Sequence, residues 1–332
     1  MKKIALFSLA ALMLAACSEE EGGEYGQQLL KLTGSIEAVV DDATSETTGD
    51  VQSTQIEENE TVYAWVSDGT ESERDDAYYV KTLTARADGS LSGAEPIYFP
   101  QGRDKVVIRA LHGNVTPKPV LAWGTTKFPT SFEFSVHTDQ HEGGDAYVQS
   151  DLLYAVANDV TAKGHSTIVP LTFYHMLGKL ELVIEKTADV SGEVTEVSIE
   201  EVAVKGTFNP AIDTDATQQS EREKMITAGE QTGKMFLGTA LNADGVTNDA
   251  IVIPQSIGGK KLTIKLSEGS DVYTSSYVFP DGLKFESGKR LVFKVELKGK
   301  NLSVTSSIKP WDDTEEKTMD ATNSFLQDGE NN

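Results

Sequence analysis

The sequence predicts an all-β chain built as two tandem β-sandwich domains, and three observations predict it. Short runs rich in Val, Ile, Thr and Tyr alternate with polar residues at a period of two, the spacing that lays one face of a strand on a core. Gly, Pro, Asn and Asp punctuate those runs, and sustained helical periodicity is scarce. The length, 332 residues with 39% hydrophobic content, suits two ordinary cores.

The elements follow in chain order. Lys2 and Lys3, the apolar run Ile4 to Leu14 and the small pair Ala15-Ala16 read as a signal peptide over residues 1–16. The run is too short to span a bilayer, which takes about 20 apolar residues. Leu14-Ala15-Ala16-Cys17 resembles a bacterial lipobox, which implies cleavage before Cys17 and a lipid on its thiol. Cys17 is the sole cysteine, so no intramolecular disulfide can form and stability must come from packing. Residues 17–28 read as an acidic tether. Within it Ser18-Glu19-Glu20-Glu21 resembles the export signal of Bacteroidetes surface lipoproteins, and reads otherwise as a solvated acidic linker. The formal charge of −23 excludes nucleic acid as a partner, because like charge repels the phosphate backbone. It also leaves the lipid at Cys17 as the expected route of attachment to the outer membrane.

A first domain is expected over residues 29–165. Leu30, Leu32, Ile36 and Ala38 alternate as its opening strand, and Asp41 to Glu60 is a long polar loop. Alternation then predicts strands at 61–67, 77–84, 96–100, 105–111, 132–136 and 151–156, with 138–150 a polar loop. A second domain is expected over 166–311. Its opening strand is Pro170 to Ile184, with Gly178 as a bulge. Further strands are predicted at 193–206, 248–254, 260–267, 271–279, 289–298 and 301–309, with 209–233 a loop holding at most one helical turn. Residues 312–332 carry many carboxylates and few apolar side chains, and read as a flexible tail.

Candidate chemistry is sparse. There is no G-x-S-x-G, P-loop or G-x-G-x-x-G pattern, and the expectation is a non-enzyme without cofactor or metal. His137, Asp139 and His141 share one face of an extended chain and present ligand types a divalent cation accepts, with His165 or Glu142 as a further donor. The segment runs into a Gly-Gly loop, where such residues are ordinarily solvated. His175 alternates with Phe173 and reads as a core histidine bonded to backbone. Trp65, Trp123 and Trp311 read as core aromatics rather than a sugar-stacking platform.

Several pieces in order are similar to the fimbrillin (Mfa-like) family of Bacteroidales. They are Pro96-Ile-Tyr-Phe-Pro100 with Val106 to His112; Asp139-Gln140 with Ser150 to Ala155; Leu171 to His175 with Gly178-Lys179-Leu180; Val252 to Gln255; Phe285 to Lys289; and Ile308 to Asp312. The resemblance implies two transthyretin-like Greek-key sandwiches and a lipoprotein precursor of a surface pilus. It implies other pilin subunits as partners, in a homo- or hetero-polymer, joined by β-strand donation. A surface protease would remove the first strand, around Leu30, Leu32, Ile36 and Ala38, and a neighbour's strand would fill the groove. Family processing follows arginine, yet none lies between Cys17 and Arg74 and Lys31 is the sole basic residue there, so either a different protease acts or the subunit keeps its lipid and first strand, as an anchor at the base would. The segment 301–311 is the first donor to consider. The alternative expectation is a surface lipoprotein or tip adhesin that binds a glycan, a host protein or a bacterial surface.

Overall fold

The alternating run from Pro170 to Ile184 does not remain one strand. In the computed structural model it is cut at Met176-Leu177, and its halves enter different sheets. The structure describes residues 28–37, 55–68, 76–118, 126–141, 145–210, 217–241 and 248–298, together with the backbone at 301–310, 319–324 and 326–327.

The first half carries β1 (Leu29–Ile36), β2 (Thr61–Asp68), β3 (Asp76–Ala85), β4 (Ser90–Ser92), β5 (Ile97–Tyr98) and β6 (Lys105–His112). It continues with β7 (Val115–Thr116), β8 (Thr126–Lys127), β9 (Phe132–Ser135), α1 (Ala146–Ser150), β10 (Leu153–Thr161) and β11 (Ser166–His175). The second half carries β12 (Gly178–Lys186), β13 (Glu193–Ala203), β14 (Lys205–Phe208), α2 (Gln219–Met225), β15 (Ile226–Ala228), β16 (Thr232–Leu237), β17 (Asn248–Val252) and β18 (Gln255–Ser256). It ends with β19 (Lys261–Glu268), β20 (Asp271–Val278), β21 (Lys284–Phe285), β22 (Lys289–Lys298), β23 (Asn301–Pro310), β24 (Met319–Ser324) and β25 (Leu326–Gln327). The chain is all-β, as its periodicity predicts.

The first sheet runs β11-β10-β6-β2-β3-β4-β1, and β1 pairs again with β11. It therefore closes on itself as a ring, which leaves none of those strands with a fully open edge. Leu30, Leu32, Ile36, Val62, Ala64, Val66, Leu83, Leu91, Val106, Ile108 and Phe173 fill the interior. β2 and β6 are buried on both faces, because Tyr63, Trp65 and Leu111 point outward into a second cluster with Phe128, Phe132, Phe134 and Phe208. β11 alternates buried and exposed, since its outer face meets solvent. This places Ser166–His175 in the first unit, correcting the boundary expected after residue 165. The ladder decides it: β11 pairs with β1 over all eight residues of that strand and with β10 at its far end.

The second half is a sandwich of two sheets, β16-β13-β19-β20-β25 and β17-β12-β22-β23-β24. Leu180, Leu182, Ile184, Phe293 and Val295 of one sheet share a core with Val197, Ile199, Leu262, Ile264 and Tyr277 of the other. A small sheet, β15-β14-β9-β7, joins the halves. Residues 209–233, expected as loop, hold α2, β15 and the start of β16. The tail expected to be flexible contributes β24, paired to β23, and β25, paired to β20. A backbone ladder at a sheet edge needs no run of apolar side chains, which is why composition hid it. Among the described residues no helix is long and apolar enough to cross a membrane.

Candidate functional site

The strand that closes the ring is the candidate site. β1 runs parallel to β11 from Leu29↔Ser166 to Ile36↔Phe173. On its other side it is antiparallel to β5 at Leu29↔Tyr98 and to β4 at Leu32↔Leu91. Leu30, Leu32 and Ile36 point into the ring and are 2–3% exposed. Burial of each contributes about 1.5–3 kcal/mol. Lys31 and Ser35 face solvent, as do Ile168, Pro170 and Thr172 on β11. β1 is thus apolar within, wet without, and bordered by ladders on both edges.

The strand ends in a clasp. Glu37 N–H donates to Phe173 O at 2.8 Å, and its carboxylate Oε2 accepts from Arg222 Nη1 of α2 at 3.1 Å. Arg222 is 6% exposed and its guanidinium lies 5.5 Å from the Tyr174 ring centre. The acidic residue after the strand thereby fixes it to the second half.

The sequence-predicted residues divide clearly. Leu30, Leu32 and Ile36 come together in the ring, while Ala38 and Cys17 lie outside the described residues. The Lys31 side chain is exposed, but its backbone sits in register with Ile168 between the Ile97 and Leu91 pairings. A protease needs an extended, unpaired segment, so a cut at Lys31 requires the ladder to open first, and it would leave Leu32 and Ile36 behind.

The face shared by His137, Asp139 and His141 does not become a ligand set. The Asp139 carboxylate accepts the His141 N–H at 3.0 Å, closing a local turn. The described residues hold no group of three His, Cys, Asp or Glu placed to bind a metal. The functional residue of this stretch is the one between them. Gln140 is 7% exposed; its Oε1 accepts from Ile251 N at 2.8 Å and its Nε2 donates to Ile251 O at 2.9 Å. It thereby caps the free edge of β17. Thr138 O accepts the Phe236 N–H on β16 at 2.8 Å, so the same segment covers the edges of both sandwich sheets. Two more amides act alike. Asn248 pairs with the N–H and C=O of Ala240 at 3.1 and 3.0 Å. Gln255 pairs with those of Ala203 at 2.8 and 3.3 Å, just past a bulge in β13.

His175 is a core histidine, but its Nδ1 meets the Asp151 carboxylate at 3.0–3.1 Å rather than backbone. Trp65 is 1% exposed and packs edge-on against Phe128 at 4.9 Å and Phe132 at 5.9 Å, so it is no platform for a sugar. Trp123 and Trp311 lie outside the described residues. The first donor considered, 301–311, is β23 over Asn301–Pro310, held by β22 on one side and β24 on the other. It is an interior strand of its sheet, whereas β24 and β25 sit at sheet edges.

The fimbrillin-like family profile matches residues 47–311, most of the chain. The chain belongs to the fimbrillin-like family. Among solved structures, a candidate cell adhesion protein from Bacteroides uniformis aligns with a TM-score of 0.57 at 20% identity, covering 86% of this chain and 99% of that one. A second candidate cell adhesion protein, from Bacteroides ovatus, aligns at 0.57 and 17% identity, covering 87% and 100%. These likenesses show a shared fold. A comparison with curated proteins gives no match.

Proposed function

We propose that this fimbrillin-like protein is a structural subunit of a cell-surface pilus or adhesive appendage, exported as a lipoprotein and joined to its neighbours by exchange of β1. The observation that carries the reading is the ring closed by one N-terminal strand. Removal of β1 leaves unpaired backbone along β11, β4 and β5 and an apolar slot where Leu30, Leu32 and Ile36 had been. A strand from another subunit restores both losses, the β-addition by which pilins elsewhere are joined. Each joint is head-to-tail and non-closing, so repetition gives a filament. Family membership supports a pilus-type or adhesion role at the cell surface, and the lipobox at Cys17 supports attachment to the outer membrane before assembly.

Release of β1 as a whole requires a cut beyond Glu37. No Lys or Arg occurs from residue 38 to residue 60, so the processing enzyme cuts after a non-basic residue. The reading is tested by locking the strand. Ser35 and Thr172 are register partners on the exposed face, so Ser35→Cys with Thr172→Cys places two thiols on neighbouring strands. Oxidised protein is expected to remain unassembled and reduced protein to polymerise. Equal assembly in both states would remove β1 exchange from the account.

A further inference from the structure

If β1 is exchanged, the ring itself specifies what can replace it. The inward positions of β1 are Leu30, Leu32, Gly34 and Ile36, so three large side chains are interrupted by one position that carries no side chain. A Cβ built at Gly34 would lie 3.0 Å from Phe173 Cε2 and 3.5 Å from both Phe173 Cδ2 and Leu91 Cδ1. Phe173 is wholly buried on β11, in the wall of the slot, and its ring must give by a few tenths of an ångström to admit even a Cβ at position 34, which leaves a small side chain tolerable and a large one opposed. A backbone hydrogen bond holds the strand down at this position. Gly34 N–H donates to Gly89 O at 2.8 Å, and Gly89 turns beneath it with φ +76°.

We propose that Phe173 is the specificity-determining residue of this slot. It admits from a neighbouring subunit a strand with the inward order large, large, Gly or Ser, large, read in the direction of β1. It rejects a branched or long side chain at the third position. The inference rests on the strand-exchange reading and adds a rule to it. Alternation alone decides which face of a strand enters a core. The notch decides more, because the pattern is not symmetric. A reversed strand, or one slipped by two residues, drives a large side chain into Phe173. Register and polarity are both fixed by one aromatic ring.

The chain's own C-terminal segments differ under this rule. Leu302-Ser-Val-Thr-Ser-Ser-Ile308 repeats the order of Leu30-Lys-Leu-Thr-Gly-Ser-Ile36, with Ser306 at the notch. That segment is held inside its own sheet. As a free extended peptide, 319–326 alternates Met319, Ala321, Asn323 and Phe325 with Asp320, Thr322, Ser324 and Leu326, and neither set of residue types fits in either direction. The edge segment is therefore excluded, and the fitting occupant is a strand of a neighbouring subunit that carries the inward order of β1.

The test uses the full chain with one protease site inserted between residues 38 and 54, cut once, and labelled peptides spanning residues 28–37 offered in excess. The native peptide is expected to exchange into the slot, and its Gly34→Ser form to follow closely. The Gly34→Leu form should bind about tenfold or more weakly, the scale of core overpacking. Phe173→Ala in the ring should restore binding of the Gly34→Leu peptide, with Phe173→Leu as the milder partner where folding demands it. A peptide of residues 319–327 should fail. Failure of the native peptide to exchange would sink the strand-exchange reading itself. Exchange of the native peptide with equal binding of the Gly34→Leu peptide or of the 319–327 peptide would overturn the notch and leave exchange standing. Where neither ring variant folds, the peptide series on the native ring decides.

Discussion

The ring and the second sandwich face the same problem, exposed backbone at strand edges, and solve it differently. The ring closes its gap with a whole strand, β1, attached at one end to the N-terminal segment and clasped at the other by Glu37 and Arg222. The sandwich satisfies part of its free backbone with single side chains: Gln140 on Ile251, Asn248 on Ala240 and Gln255 on Ala203. Gly238 shows how close one of these is, since a Cβ there would fall 2.1 Å from Asn248 Oδ1. An amide presents one donor and one acceptor in the geometry of a peptide group, so it satisfies an edge residue without offering a strand that could leave. One region is closed by a terminal strand, which the proposed exchange would remove, and the other by amides fixed within the fold.

The comparison breaks first if β1 is dispensable. Deleting residues 1–37 removes three buried aliphatic side chains, each worth about 2–5 kcal/mol in a core. Their sum rivals the whole stability of a typical domain, about 5–15 kcal/mol. The ring is expected to lose amide protection at Val62, Ala64 and Ile108 and to bind a hydrophobic dye, while Ile251 in the sandwich stays protected. Hydrogen exchange read by mass spectrometry checks both halves at once. The amide caps come next. Gln140→Ala leaves the Ile251 N–H and C=O without their partner, at about 1–3 kcal/mol for each buried group. Chemical denaturation should show the loss, and exchange should rise at Ile251 but not along β1.

Gly34→Leu in the intact chain sharpens the ring side. Overpacking against Phe173 should cost about 1–3 kcal/mol, visible as a lowered Tm, and Lys31→Ala on the outer face should change little. The smallest effect lies in the sandwich. Hydrogen bonds from Lys234, then Lys265, hold the Glu196 carboxyl below its ordinary value and tie β13 to β16 and β19. A depressed acid stabilises the fold above its unfolded value near 4.5 and loses that contribution as pH falls through the folded value. Glu196→Gln should therefore lower stability at neutral pH by less than about 1 kcal/mol, as these partners are partly exposed. It should also flatten the acid limb of a urea-midpoint profile.

What the sequence made legible follows from what alternation can carry. Leu30, Leu32 and Ile36 alternate, and their strand and its inward face were readable. Pairing is not written in a single strand, so nothing local placed Ser166–His175 beside β1 rather than in the following unit. Gly34 carries no side chain for alternation to register, and its meaning comes only with Phe173, far along the chain. In the stretch from His137 to His141 alternation groups His137, Asp139 and His141 and puts Gln140 on the other face, so periodicity gave no sign of the Gln140 contact to Ile251. Polar residues at edges carry backbone satisfaction, and that role leaves no periodic trace. The tail strands were missed for the same reason, since β24 and β25 are held by main-chain pairing.

The most direct measurement is the N-terminus of the subunit recovered from assembled surface material, by terminal sequencing and intact mass. The account predicts a start beyond Glu37 and before Ile56, with β1 gone and the slot held by another subunit's strand. Assembled subunits that all begin at an acylated Cys17, with β1 still joined to the ring, would contradict it.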